Sequence, residues 1–249
     1  MASNQPAQCC TIGVKHEGEA NGKLEMIGDI ETYITHPSEK SDKGILIIPD
    51  VIGHKFRNAQ LIADQFAANG YLTFIPDIFR GDAIPLNRPG DFDFKTWSSD
   101  KGVDKVDPII EAVIKEMRTK YGIKKLGGVG YCFGGKSVIR FLRPGVIDVG
   151  YVAHPSFVAA DEVKALKGPL SIAAAQTDAI FPTEKRRETE EILMTLDTPW
   201  QINLYSHVEH GFAVRADLTK PRIKWAKEQA FLQAVAWFDE DLKKDNAKL

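Results

Sequence analysis

The chain has 249 residues, 43% of them hydrophobic and 27% charged, which suits a single globular α/β domain over 1–249 with a sizeable core. A formal net charge of −2, with no long basic run, excludes an electrostatic case for nucleic acid or an anionic membrane as partner. No stretch approaches the roughly 18 apolar residues of a membrane span, and the polar opening Met1 to Gln8 lacks the apolar core of a secretory signal. Three cysteines make no disulfide framework, and the neighbours Cys9 and Cys10 are poorly placed to bridge one another. A reducing cytoplasm is the expected setting.

Strand-like runs alternate with helix-like segments along the chain, which predicts a mostly parallel sheet covered on both faces. The strands are expected at Glu31–Thr35, Gly44–Ile48, Tyr71–Ile75, Leu126–Gly130, Val149–Ala153, Leu170–Ala174 and Trp200–Tyr205. Between them, Asn58 to Asn69 reads as an amphipathic helix with Ile62 and Phe66 on one face, stopped by Gly70. Ile110, Val113, Ile114, Met117 and Tyr121 form a second helical stripe. A last helix begins near Pro221, where a first-turn proline belongs, and turns Ile223, Ala230, Ala234 and Trp237 inward. The segment Gly81 to Gly102 has no clear period but holds Phe92, Phe94 and Trp97 among aspartates. Its length and its place after a strand suggest a lid or pocket wall, the alternative being a plain surface excursion pinned down by its aromatics.

One motif carries chemistry. In Gly130-Tyr131-Cys132-Phe133-Gly134, a cysteine sits where a glycine-flanked serine often stands at a sharp strand-to-helix turn. Such a turn strains the nucleophile's backbone and leaves no room for side chains at the flanking positions. It also aims the sulfur at the positive end of the next helix, which lowers a thiol pKa. Downstream, Asp178 ends the apolar run Leu170 to Ala174, so it belongs on the loop beyond a buried parallel strand. His210 follows the Trp200–Tyr205 strand and completes the order nucleophile, acid, histidine. His207 is the rival base. His210 is preferred because Gly211-Phe212 gives it a mobile, close-packed loop.

These motifs, with Gly135-Lys136, Asp178-Ala179-Ile180-Phe181-Pro182 and His210-Gly211-Phe212, resemble the dienelactone hydrolase family. The Ala153-His154-Pro155-Ser156-Phe157 stretch and the opening with Cys9-Cys10 bring the chain nearest to its fungal branch. The resemblance implies an α/β-hydrolase fold and a Cys132, His210, Asp178 triad that cleaves a small ester or lactone without a cofactor. The backbone N–H of Phe133 is one expected oxyanion donor; the resemblance points to that of Val51 as the second. Bacterial members carry a glutamate at Asp50, which holds the resting thiol protonated. The aspartate here is one methylene shorter, and the alternatives are a helix cap near Asn58 or a pair with Arg57. Those members also grip a substrate carboxylate with two arginines, for which Arg80 and the offset Arg215 are candidates. His154 and Phe157 are expected at the pocket floor. Thioesterase or acyltransferase chemistry, and a redox-sensing thiol with little turnover, stand as alternatives. No metal site is expected, since the histidines show no H-E-x-x-H spacing and Cys9-Cys10 lacks partner ligands.

Overall fold

The computed structural model describes residues 2–90 and 92–244. Apolar runs too continuous for a half-exposed strand become the centre of an eight-stranded sheet. Its strands are β1 (Lys23–Ile27), β2 (Ile30–Thr35), β3 (Lys43–Ile48), β4 (Leu72–Pro76), β5 (Lys125–Tyr131), β6 (Val149–Ala153), β7 (Leu170–Thr177) and β8 (Trp200–Glu209). The order is β1-β2-β4-β3-β5-β6-β7-β8, with β1 and β2 antiparallel to their neighbours and every pair from β4 onward parallel. This is the α/β-hydrolase arrangement, a mostly parallel sheet with helices on both faces.

The helices are α1 (Arg57–Ala68), α2 (Phe94–Ser99), α3 (Val103–Thr119), α4 (Gly134–Phe141), α5 (Ala160–Ala165), α6 (Thr183–Leu193), α7 (Phe212–Arg215) and α8 (Pro221–Phe238). One face is covered by α1, α7 and α8 through Phe66, Phe212, Ala230 and Phe238; the other by α3 to α6 through Ile110, Val138, Val163 and Leu193. Within α8, Ala230 and Ala234 point inward as expected, but Ile223 and Trp237 are only half-buried. Phe238, Gln233 and Lys227 take the inward positions instead. Gln233 is tolerated there because its amide donates to Ser171 Oγ at 2.9 Å and to the Ile172 carbonyl at 3.1 Å.

Two departures from the sequence reading have local causes. Strand β1 escapes an apolar-run search because four of its five residues are exposed; it exists by pairing with β2 across a turn at Gly28, whose φ is 60°. Strand β8 runs on to Glu209, so His207 lies on the strand, exposed, with its amide donating to Gln176 Oε1.

The first residues do not trail into solvent. Ser3 donates its amide to the Val158 carbonyl and accepts from the Val158 amide, while Asn4 exchanges backbone bonds with Ile180 and Phe157. Farther on, Thr11 and Val14 are tied to Asn87 and Arg215. Residues 2–14 therefore strap the loops that follow β6, β7 and β8, across the C-terminal edge of the sheet where parallel α/β folds place their sites.

Candidate active site

Cys132 stands at the turn from β5 into α4 with φ 48°, a left-handed backbone that a non-glycine residue adopts at a cost of about 1–3 kcal/mol. The flanking glycines are required by space. A Cβ on Gly130 would lie 2.7 Å from the Gly134 carbonyl oxygen, and one on Gly134 would be driven into the carbonyl of Ile48. The sulfur is wholly buried at the start of α4, 3.7 Å from Ser156 Oγ.

His210 is set on the loop after β8. Its Nδ1 lies 3.0 Å from each carboxylate oxygen of Asp178, so that nitrogen carries the proton and Nε2 is presented to the centre. Asp178 Oδ1 also accepts from the amides of Ile180 and Phe181, which fixes the carboxylate before it meets the ring. Both side chains are almost fully enclosed. The structure thus brings Cys132, Asp178 and His210 to one place, and leaves His207 outside it.

Sequence reasoning missed the neighbour that His210 actually touches. The Nε2 atom is 3.4 Å from the sulfur of Cys10, which the short helical turn Gln8–Cys10 pushes inward. The donor atoms of Cys10, Cys132 and His210 all lie within 4.8 Å of one another, so Cys10 stands beside potential ligand atoms that its sequence neighbourhood does not reveal. Ser156 was missed too. It is fully buried, and its amide donates to the Cys132 carbonyl at 2.9 Å.

Charge is distributed unevenly over this cluster. Burial alone pushes the Cys132 thiol up, but the hydrogen bond from Cys10 and the charges of His210 and Arg215 outweigh it and hold the thiol well below its ordinary range. Burial works against the His210 cation, yet the Cys132 thiolate and Asp178 raise the ring to about 10. Cys10 moves the opposite way, well above the ordinary thiol value, because it donates to Cys132 and is desolvated. Of the two buried sulfurs, Cys132 is the one that ionises; on the partly buried Cys9 the bond from Cys10 lowers the thiol to about 7.

Asp50 and Arg215 meet each other rather than a ligand. The two buried side chains form a close ion pair, with Asp50 Oδ1 also accepting from the Ile52 amide at 3.1 Å. Neither expected alternative for Asp50, a helix cap or a pair with Arg57, is realised. Arg215 spends its remaining donors on the strap, reaching the carbonyls of Ile12 at 3.1 Å and Cys9 at 3.3 Å. Arg80 is turned away from this cluster. Its guanidinium holds the carbonyl and carboxylate of the exposed Asp29, at 2.9 and 2.8 Å.

Two backbone donors face no protein acceptor: among the described residues, neither the amide of Val51 nor that of Phe133 makes a hydrogen bond. Val51 is fully buried and its carbonyl accepts from Ile84, which draws the 81–102 segment against the site. In the same segment Trp97 packs on Phe133 with ring centres 6.0 Å apart. His154 stacks on Tyr131 and meets the His210 ring edge-on at 4.9 Å, with neither ring nitrogen bonded among the described residues. Burial, and then the nearby charges of His210 and Arg215, hold it well below the ordinary imidazole value, so it is a neutral wall.

Residues 30–242 match the Dienelactone hydrolase family. The chain belongs to that family. It is 52% identical to Hydrolase tropI of Talaromyces stipitatus over 98% of this chain and 99% of that one. Dienlactone hydrolase 1 of Gibberella moniliformis is 37% identical, covering 93% of this chain and 92% of the other. Among solved structures, a putative dienelactone hydrolase from Klebsiella pneumoniae superposes with a TM-score of 0.71 at 15% identity, over 90% of this chain and all of that one. Membership makes the chain a hydrolase of the ester- and lactone-cleaving class. No helix among the described residues is long and apolar enough to cross a membrane.

Proposed function

We propose that this dienelactone hydrolase family member cleaves a small ester or lactone by acyl transfer through Cys132, with His210 as base and Asp178 as its orienting acid. The observation that carries this reading is the strained Cys132 turn at the start of α4, opposite a histidine held by a buried carboxylate. The thiolate of Cys132 attacks the carbonyl carbon, and the carbonyl electron pair moves onto oxygen. The amides of Val51 and Phe133, which have no acceptor among the described residues, receive that oxyanion. Collapse expels the alkoxide, which takes the proton from His210 Nε2 and leaves a thioester. His210 then draws a proton from water, whose oxygen attacks the thioester and releases the acid and the thiolate.

The strap belongs to this cycle. Cys132 is fully enclosed and Cys10 of the strap sits against both it and His210 Nε2, so substrate entry requires residues 2–14 to move. Arg215 ties the strap to the site through the carbonyls of Ile12 and Cys9, while Asp50 keeps its guanidinium in place. Three free cysteines, one of them an ionised nucleophile, suit a reducing compartment such as the cytoplasm.

A second reading has one observation in its favour. Because Nε2 bonds Cys10, that residue is a rival nucleophile. It lacks a strained turn and a helix N-terminus, and its thiol is raised well above the ordinary range by the bonds it makes to Cys132 and Cys9 and by burial. Hydrolysis of an ester and lactone panel, with and without a carboxylate, by the wild type, Cys132→Ala and Cys10→Ala separates the two. Loss of turnover in Cys132→Ala supports the first reading, and loss confined to Cys10→Ala supports the second.

A further inference from the structure

The hydrolytic cycle uses one sulfur, yet the site holds two beside one imidazole nitrogen, and all three residues are fully or nearly fully buried. A tetrahedral zinc with Zn–S near 2.3 Å and Zn–N near 2.0–2.1 Å keeps such donors roughly 3.5–3.8 Å apart. Cys10 Sγ and His210 Nε2 stand at 3.4 Å, and the Cys132 sulfur, within 4.8 Å of both, needs to close by no more than about 1.3 Å. The second shell is also built. Asp178 holds His210 through Nδ1 with both oxygens at 3.0 Å, the carboxylate–histidine arrangement that orients a metal-binding imidazole.

We propose that Cys10, Cys132 and His210 form a binding site for a thiophilic divalent cation of the zinc class, and that its occupation locks the N-terminal strap over the nucleophile. This deepens the hydrolase reading by giving that same site a regulator, and it rests on that reading only where turnover is the readout. Binding expels the proton of Cys10 and the one shared by Cys132 and His210, leaving two thiolates and a neutral imidazole around a doubly charged ion. The Arg215 cation, which acts on both sulfurs, is matched by Asp50 and does not leave the cluster with excess positive charge. Two thiolates and one imidazole are a soft donor set, so magnesium and calcium are excluded as ligands. Cys132 would be tied to a residue of the strap, and neither the sulfur nor Nε2 would remain free for an ester.

The test is an anaerobic Co²⁺ titration of the folded chain in a thiol-free buffer, followed by displacement with Zn²⁺. The expected result is one equivalent bound, with sulfur-to-cobalt charge-transfer absorption and tetrahedral visible bands, and no response to Mg²⁺. Cys10→Ala and Cys132→Ala should each lower that absorption and weaken binding by more than the ~10–100-fold that loss of an outer partner costs. Cys9→Ala should leave the spectrum intact. Cys10→Ser provides a second ligand-deleted variant close in size to the native residue, and circular dichroism verifies the fold of each. A spectrum without thiolate charge transfer, or unchanged affinity in both Cys10 variants, overturns the site. In the turnover arm, Zn²⁺ should inhibit wild type reversibly with chelator. An enzyme that binds Co²⁺ as described but hydrolyses nothing keeps the metal site and defeats the hydrolase reading alone.

Discussion

His210 Nε2 lies 3.4 Å from the sulfur of Cys10, a residue 200 positions earlier in the chain. The contact places the N-terminal strap directly on the base of the proposed triad. It also explains why Cys132, at the point where substrate carbon would be attacked, has no exposed surface.

Accessibility follows from this arrangement. Alkylation of Cys132 by iodoacetamide, read by peptide mass mapping, should be slow in the intact chain despite its ionised thiol. Removing residues 1–11 should raise the rate several-fold, because the contacts of Ser3, Asn4 and Cys10 that close the site are gone. Equal rates in both forms would show that the strap does not gate the sulfur.

The ionised pair sets a pH window. Cys132 has a lowered pKa, so its contribution to stability is fully present above the ordinary thiol range and is lost as pH falls through the lowered value. His210 has a raised one, so its contribution is complete below the ordinary imidazole value and is lost as pH rises through about 10. The thiolate–imidazolium pair should therefore persist across neutral pH and up to about 10, its low-pH limit read as Cys132 thiolate absorbance in a Cys9→Ala background and its high-pH limit as the His210 imidazole NMR shift. Replacing His210 with alanine removes a charge that opposes the effect of burial and should shift the Cys132 titration upward. An unmoved titration would place the source of the low thiol pKa elsewhere.

The buried pair Asp50–Arg215 is the most exposed to single substitution. Arg215→Ala leaves the Asp50 charge enclosed without its partner, at an expected loss of about 3–5 kcal/mol in urea unfolding. Asp50→Leu with Arg215→Met should recover much of that stability, since each apolar replacement avoids an orphaned charge. Additive losses in the double variant would mean that the two side chains do not act as a pair.

Arg80 tests how a substrate carboxylate is read. With its guanidinium on Asp29 at the surface, Arg80→Ala should change kcat/KM for anionic and neutral esters alike by no more than about 0.5 kcal/mol. A loss of about 2–3 kcal/mol confined to anionic substrates would show that Arg80 leaves Asp29 to grip the carboxylate.

Much of this molecule was legible in its sequence because single positions reveal it. The central strands are unbroken apolar runs, the turn at Cys132 demands glycines at 130 and 134, and the proposed Cys132, Asp178 and His210 follow one another in the order nucleophile, acid, histidine. The hidden parts depend on pairing at a distance. Strand β1 shows no apolar face, since its partner β2 and not its own burial makes it a strand. Arg215 displays a spacing close to a carboxylate clamp, but only the folded chain shows that Asp50 already holds it. Cys10 sits in a segment without periodicity, and nothing local indicates that it ends against His210.

The central claim is that Cys132, and not Cys10, carries the acyl group. The direct measurement is mass mapping of the enzyme quenched in acid during turnover of a slow ester, when the thioester accumulates. The acyl mass is expected on the peptide that contains Cys132 and absent from the one that contains Cys9 and Cys10. An acyl group found on Cys10 instead would contradict the account.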